Sequence, residues 1–251
     1  MAILSLEFLT LILVTLAVYY LLGYLRAPRI LQNLVLLAAS YYFYWDYFQW
    51  YPLLLLALTA IDFGLGHWLY KSTRGKRAIV WLGVFINIGA MAWFLIGGKY
   101  LQGVLEITAA NALDIMPLLV LPIGMSYYAL NGISYLIDIN LRLAKPSTNF
   151  VDFALYLAWF PKLLNGPLER ARKFLPQLAE TRTVDTEAVA RNLTLILIGL
   201  FRMAILGGAL TLLMPAVALD NPSAYGTLVL LWALLTSMFY LYNQFAGYSD
   251  I

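Results

Sequence analysis

Apolar residues run along this chain in blocks of about 20, the length a helix needs to cross a bilayer, separated by short polar turns. The first block covers Ile3 to Tyr24 and turns at Arg26, Pro28 and Arg29. Leu31 to Tyr44 predicts a second helix, which runs into an aromatic cluster between Tyr41 and Tyr51. Amphipathic rings collect at headgroup level, so this cluster reads as an interfacial belt and membrane anchor. Pro52 suits the first turn of a third helix ending at Tyr70. The basic loop Lys71 to Arg77 follows, then a fourth helix from Ala78 to Gly97, closed by Gly97 and Gly98. Lys99 to Asp114 is mixed and is expected in the interface, and Met116 to Asp138 is a fifth helix. Further on, Asp185 and Glu187 suit the start of a spanning helix from Ala188 to Met214, with Arg202 inside it. Pro215 to Ser223 turns the chain into a last helix from Ala224 to about Phe245.

The regular pattern breaks between Asp138 and Leu178. Asn149 is placed as an N-cap, with Asp152 in the capping-box position three residues on. The apolar run from Phe150 stops at Pro161, and a helix of that length rises only about 16 Å, half of what spanning requires. It is expected to dip in and return, or to lie flat. Broken backbone at membrane depth survives only where protein or a water-filled cavity satisfies its polar groups. The break at Phe160 to Arg170 is therefore the expected mouth of a cavity. After Gly166 and Pro167, Leu168, Ala171, Leu175 and Leu178 share one helical face, with Arg170, Arg172 and Lys173 around it. A basic amphipathic segment of this kind is expected at the membrane surface.

Composition agrees with the pattern. Of 251 residues, 63% are hydrophobic and 12% charged, about half the charge of a soluble domain. The fold class is an all-α polytopic transmembrane bundle with a re-entrant or half-length helix. It reads as one membrane domain over 1–251, with scaffold helices at 1–115, a core with the broken helix at 116–180, and further spanning helices at 181–251. There is no cysteine, hence no disulfide framework, thiolate chemistry or metal site. The N-terminus has no basic residue before Arg26 and no small-residue cleavage site, so the first helix reads as retained. The net charge of +3 resides mostly in loops and speaks to orientation, not to nucleic acid. Apart from Lys99 and Arg202, every Lys and Arg falls in loops on one side. That asymmetry puts those loops, the half-helix and its basic tail in the cytoplasm and the N-terminus outside.

Lys162, Asn165, Gly166, Glu169 and Arg170 gather at the break. They are candidates to line a donor-side opening, with Arg170 holding phosphate or carboxylate; the simpler reading is that Lys162 and Arg170 mark the interface. Arg202 at membrane depth must be paired or hydrated, either as the ligand of an anionic group or as the structural partner of an acid such as Asp62. Asp138 and Asp250 end apolar helices and read first as solvated termini. His67, the single histidine, reads better as an interfacial residue near a helix end than as a substitute base.

The strings LPIGMSYYALNGISYLID (121–138) and NFVDFALYLAWFPKLLNGPLERARKFLPQL (149–178) resemble the membrane-bound O-acyltransferase family, in its bacterial branch of alginate O-acetylation and D-alanyl transfer proteins. The terminal YNQFAGYSDI resembles that branch's F-x-G-Y-S-D element, which adds Tyr248, Ser249 and Asp250 as candidates to support the site. The resemblance is close over Leu121 to Leu178 and the last ten residues, and general over the first 120. It implies a helical bundle around a tunnel that moves an acyl group, typically acetyl, to a hydroxyl of a cell-surface or exopolysaccharide. It implies no bound cofactor, with acetyl-CoA or an acyl carrier as cytosolic co-substrate. The implied partners are the lipid bilayer and a periplasmic or extracellular polysaccharide or partner acyltransferase, in the bacterial inner membrane. The family's catalytic histidine follows the GYSD element and is expected beyond Ile251, so no catalytic residue is assigned. The chain reads as the N-terminal half of such an enzyme, inactive by itself. A transporter-like scaffold or non-catalytic subunit is the alternative, because transporters also build sites from broken helices.

Overall fold

The computed structural model describes residues 6–47, 49–97, 100, 122, 124–165, 168–180, 186–213, 215 and 221–251. Among the described residues the regular structure is all helical, without a strand, and five of the helices are long and apolar enough to cross a membrane. The chain divides into two compact units, Met1–Leu164 with Leu168–Arg182, and Thr183–Ile251 with Asn165–Pro167.

The first unit is built from α1 (Leu6–Tyr24), α2 (Arg29–Tyr47), α3 (Tyr51–Lys71) and α4 (Lys76–Gly97), the last closing in a π-helical turn from Trp93. α5 (Met125–Asn140), α6 (Phe150–Ala158), α7 (Phe160–Asn165) and α8 (Ala171–Ala179) follow. The mixed stretch 99–114 and the expected start of the fifth helix lie outside the described residues, Tyr100 and Pro122 apart.

α1 and α5 end alike. Arg26 and Arg142 adopt the left-handed conformation, with φ of 56° and 58°. The N–H of each donates to the carbonyl three residues back, and the next N–H donates five back, from Ala27 to Leu22 and from Leu143 to Asp138. These are Schellman ends carrying arginine where glycine is usual, and each puts a cation beside the negative end of its helix.

α5 packs against α3, α4 and α6, and α2 packs against α1, α3 and α6. α5 approaches α3 closely at Gly132, where a methyl group would overlap the carboxylate of Asp62. Small residues of this kind let helix backbones come together in a membrane. Asp62 is fully buried and accepts a hydrogen bond from Asn87 Nδ2 at 2.9 Å. The aromatic cluster is not an interfacial belt as a whole. Phe43, Tyr44 and Tyr51 are buried in the bundle, and only part of the cluster, such as Tyr42 and Trp45, faces outward. The rings of Phe8, Phe43 and Phe160 meet at centroid distances of 5.6 to 5.8 Å and tie α1, α2 and α7 together.

The second unit is an antiparallel pair, α9 (Thr186–Leu213) and α10 (Thr227–Asp250), with a short 3₁₀ turn at Pro222–Ala224 between them. α9 is π-helical from Phe201 to Gly207. α10 does not end near Phe245; the GYSD element forms its last turn. Gly199 and Gly247 bring the two helices into contact. A Cβ on Gly199 would lie 2.6 Å from the Gly247 carbonyl, and one on Gly247 would lie 2.8 Å from the Gly199 carbonyl.

Candidate functional site

The site is built on the break between α6 and α7. Asn149 caps α6 as expected, its Oδ1 accepting from the Val151 N–H at 2.9 Å. Asp152 does not complete a capping box. It turns into the bundle, where Asn33 Nδ2 donates to its Oδ1 at 2.7 Å and Arg29 pairs with its Oδ2 at 3.4 Å. Residues Asp152 to Ala158 are buried without interruption. A nine-residue helix closed in on all sides is neither flat on a surface nor a span; it is a half-length helix held inside the bundle.

The helix stops at Trp159 (ψ 101°), two residues before Pro161, because proline is tolerated in the first turn of the next helix, where its missing donor costs nothing. The backbone freed at the break is served by α2. Ser40 Oγ accepts from the Phe160 N–H at 3.4 Å and donates to the Leu36 carbonyl at 2.8 Å. Protein thus satisfies the polar groups that a break at this depth exposes.

The charged residues after the break form two pairs. Lys162 is ion-paired with Glu169, and its ammonium sits 3.8 Å from the centroid of the Phe174 ring. Gln177 Nε2 donates to Glu169 Oε1 at 3.3 Å. With Tyr19 and Trp159 these side chains line a cavity of about 270 Å³. Arg170 stands at the N-cap of α8 and donates from Nη1 to Asp138 Oδ1 at 3.2 Å. Asp138 is therefore no solvated terminus: its side chain is 2% exposed, and its Oδ2 is buried without a partner. Arg170 is 54% exposed, so part of its guanidinium faces outward. It borders an apolar groove of about 350 Å³ along α5, lined by Leu130, Ile133, Ile137 and Leu168.

The tail after the break is a packed helix. Ala171, Phe174 and Leu178 bury its inner face, Leu175 is half-buried, and Leu168 lies before the helix and is exposed. Phe174 takes the place that spacing alone gives to Leu168. Arg172 and Lys173 are exposed, as expected.

Asn165 is the last residue of α7, and its side chain, like all of Gly166, lies outside the described residues. In the second unit Arg202 donates from Nη1 to Asp250 Oδ2 at 2.5 Å. Arg202 is therefore not the partner of Asp62, which sits in the first unit with Asn87. Tyr248 is half-buried and Ser249 exposed. His67 Nδ1 lies 2.9 Å from the Phe63 carbonyl, so it carries the proton, and the ring packs on Phe63 at 4.5 Å. Among the described residues no three His, Asp or Glu side chains converge as a metal would need. Sequence reasoning missed the pairings of Asp138 and Asp152. Their one visible signal was an acid standing in an otherwise apolar helix.

No family model matches the chain. Individual proteins do. It is 29% identical over 237 residues to a probable alginate O-acetylase of Pseudomonas aeruginosa, and 32% identical over 248 residues to one of Pseudomonas syringae pv. tomato. Each match covers 91% of this chain and 44% of the relative. The chain is similar to these bacterial O-acetylases along nearly all of its length. A peptidoglycan O-acetyltransferase of Helicobacter pylori matches 93% of the chain at 22% identity. The chain spans about half the length of the curated relatives it matches. These matches bear out the resemblance to the membrane-bound O-acyltransferases, and extend it along nearly the whole chain. With its five apolar helices, this relative of bacterial O-acetylases is a bacterial multi-pass membrane protein.

Proposed function

We propose that this chain forms part of a membrane-bound O-acetyltransferase of a cell-surface or exopolysaccharide. The observation that carries the reading is the similarity to probable alginate O-acetylases, 29–32% identical, along 91% of the chain. The donor is acetyl-CoA or an acetylated carrier arriving from the cytosol, and the acceptor is a polysaccharide hydroxyl, or a partner acyltransferase that serves it. The protein lies in the inner membrane with its N-terminus outside, an orientation supported by the crowding of Lys and Arg into loops of one side.

The hydroxyl oxygen attacks the thioester carbonyl carbon. The C–S bond breaks, and the proton taken from the hydroxyl passes through a general base to the leaving thiolate. Water must be kept out, or the thioester hydrolyses. Here the buried α6 and the ring cluster around Phe160 supply the dry wall. The paired charges at Lys162–Glu169 and Arg170–Asp138 form the donor-side mouth, with the outward part of Arg170 free to meet an anionic group. The base in this reading is the family's histidine, which follows the GYSD element. His67 is not a substitute, because it borders none of the cavities above.

The test is genetic and chemical. Deleting the gene should remove the acetate released by mild alkali from the bacterium's purified surface polysaccharides. Restoring it with Arg170→Gln should return the protein to the membrane but recover well under half of that acetate. Unchanged acetate in every polysaccharide fraction of the deletion strain would end the proposal.

A further inference from the structure

A third concavity, of about 540 Å³, opens beside the break on the side of the Asp152 carboxylate. Three elements meet there, and each brings a cation: Arg29 from the start of α2, Lys145 from the loop after α5, and Arg172 from the first turn of α8. Ser147 and Thr148 add hydroxyl-bearing side chains, and Asp152 is its one acid. The volume falls within the range of about 300–1,000 Å³ typical of small-ligand sites.

The three cations are not equivalent. Arg29 is held in place, donating to the Ala179 carbonyl at 2.7 Å and to Asp152 at 3.4 Å. A guanidinium has five N–H donors, so these two bonds orient the group without exhausting it. Asp152 is itself fixed by Asn33 and cannot swing out to neutralise the others. Among the described residues, Lys145 and Arg172 have no carboxylate within ion-pairing distance. The first turn of α8 adds the positive end of a helix to the same wall. Three cations around one occupied acid leave an excess of positive charge in a concave space, whereas Lys162 and Arg170 at the break are each paired with an acid.

We propose that this cleft binds a phosphate group, a phosphate diester or pyrophosphate, through Arg29, Lys145 and Arg172. It does not depend on the acyl-transfer reading. A soluble phosphorylated compound and an anionic lipid headgroup carry the same chemistry, and the two are separated by experiment.

The full chain, purified in neutral detergent at about 150 mM salt to screen loose surface charge, would be titrated with inorganic pyrophosphate by calorimetry. In parallel, it would be placed in nanodiscs of phosphatidylcholine with and without phosphatidylglycerol, and retained lipid counted by native mass spectrometry. Lys145→Gln with Arg172→Gln removes two cleft cations that make no ion pair among the described residues. Arg142→Gln with Lys173→Gln removes the same charge from neighbouring exposed positions outside the cleft. The cleft pair of substitutions should weaken binding about tenfold or more, and the control pair less than about twofold, with unfolding temperatures unchanged. Saturable pyrophosphate binding identifies a soluble source. Retention of phosphatidylglycerol alone identifies a lipid. Loss of equal size in the two double variants, or no binding of either probe to the wild-type chain, overturns the site.

Discussion

The two units hold their helices together by different means. In the first, side chains fill the space between helices and buried polar groups find one another: Asp62 with Asn87, Asp152 with Asn33, and Tyr128 with the Leu55 carbonyl at 2.7 Å. In the second, few side chains are buried, and those on α10 are small or polar: Ala233, Thr236, Asn243 and Gly247. Its two helices meet backbone to backbone at Gly199 and Gly247, with one ion pair nearby. Lipid tails are as apolar as leucine, so apolar area gives little reason for two membrane helices to associate. A large bundle can answer with many interlocked side chains and internal polar bonds. A lone pair of helices has only close approach and charge.

The largest effect should come from Gly247→Ala. The added methyl would meet the Gly199 carbonyl 2.8 Å away, and backbone cannot swing aside. The α9–α10 pairing should weaken by about 3 kcal/mol, the upper part of the overpacking range. Loss of a disulfide engineered across the two helices, or faster proteolysis of residues 186–250, would report it. Gly132→Ala tests the same insult in the first unit, where the obstacle is the Asp62 side chain. Side chains yield more than backbone, so about 2 kcal/mol is expected in a thermal melt of the detergent-solubilised chain. Equal penalties at the two glycines would erase the distinction between the units.

Arg202 and Asp250 sharpen the comparison from the side of charge. Removing Arg202 alone, as Arg202→Met, leaves a partly buried carboxylate without its partner and should destabilise the second unit by roughly 1–2 kcal/mol. Arg202→Met with Asp250→Leu removes both charges and should recover most of that loss, since a desolvated pair often does no better than apolar replacements. A double-mutant cycle by equilibrium unfolding measures the difference. If the double variant is as unstable as the single one, the loss does not come from an orphaned carboxylate.

How much of this was legible in the sequence follows from the range of the interactions. Helix positions came through because a run of about 20 apolar residues is a local signal. The half-length α6 was visible for the same reason. Its end was misplaced by two residues, since Pro161 marks the first turn of the following helix as readily as the end of the preceding one. The aromatic cluster was misread because composition cannot distinguish a ring at the lipid headgroups from one packed on a neighbouring helix; Phe43 needed Phe8 and Phe160 to decide it. Ionic partners were the least legible. Asp138 and Arg170 stand 32 positions apart, and Arg202 and Asp250 stand 48 apart. Only the arrangement of helices chooses among acids that are equally plausible by type. Arg202 was expected either to hold an anionic group or to pair with an acid such as Asp62, and nothing in the string favoured Asp250.

The smallest effect should have the opposite sign. Gly64 lies on α3, in the densely packed first unit, but a Cβ built there meets nothing within 4 Å. A glycine within a helix carries an entropic penalty relative to alanine of roughly 0.5–1 kcal/mol. Gly64→Ala should therefore leave the fold intact and raise the unfolding temperature slightly. The value of this variant lies in its pairing with Gly132→Ala. The two substitutions add the same methyl group to helices of the same unit, and they differ only in what the methyl group meets. A gain at Gly64 beside a loss at Gly132 attributes the loss to the contact with Asp62. If Gly64→Ala destabilises as well, α3 depends on glycine for flexibility rather than for close approach, and the packing account of the first unit fails at its simplest position.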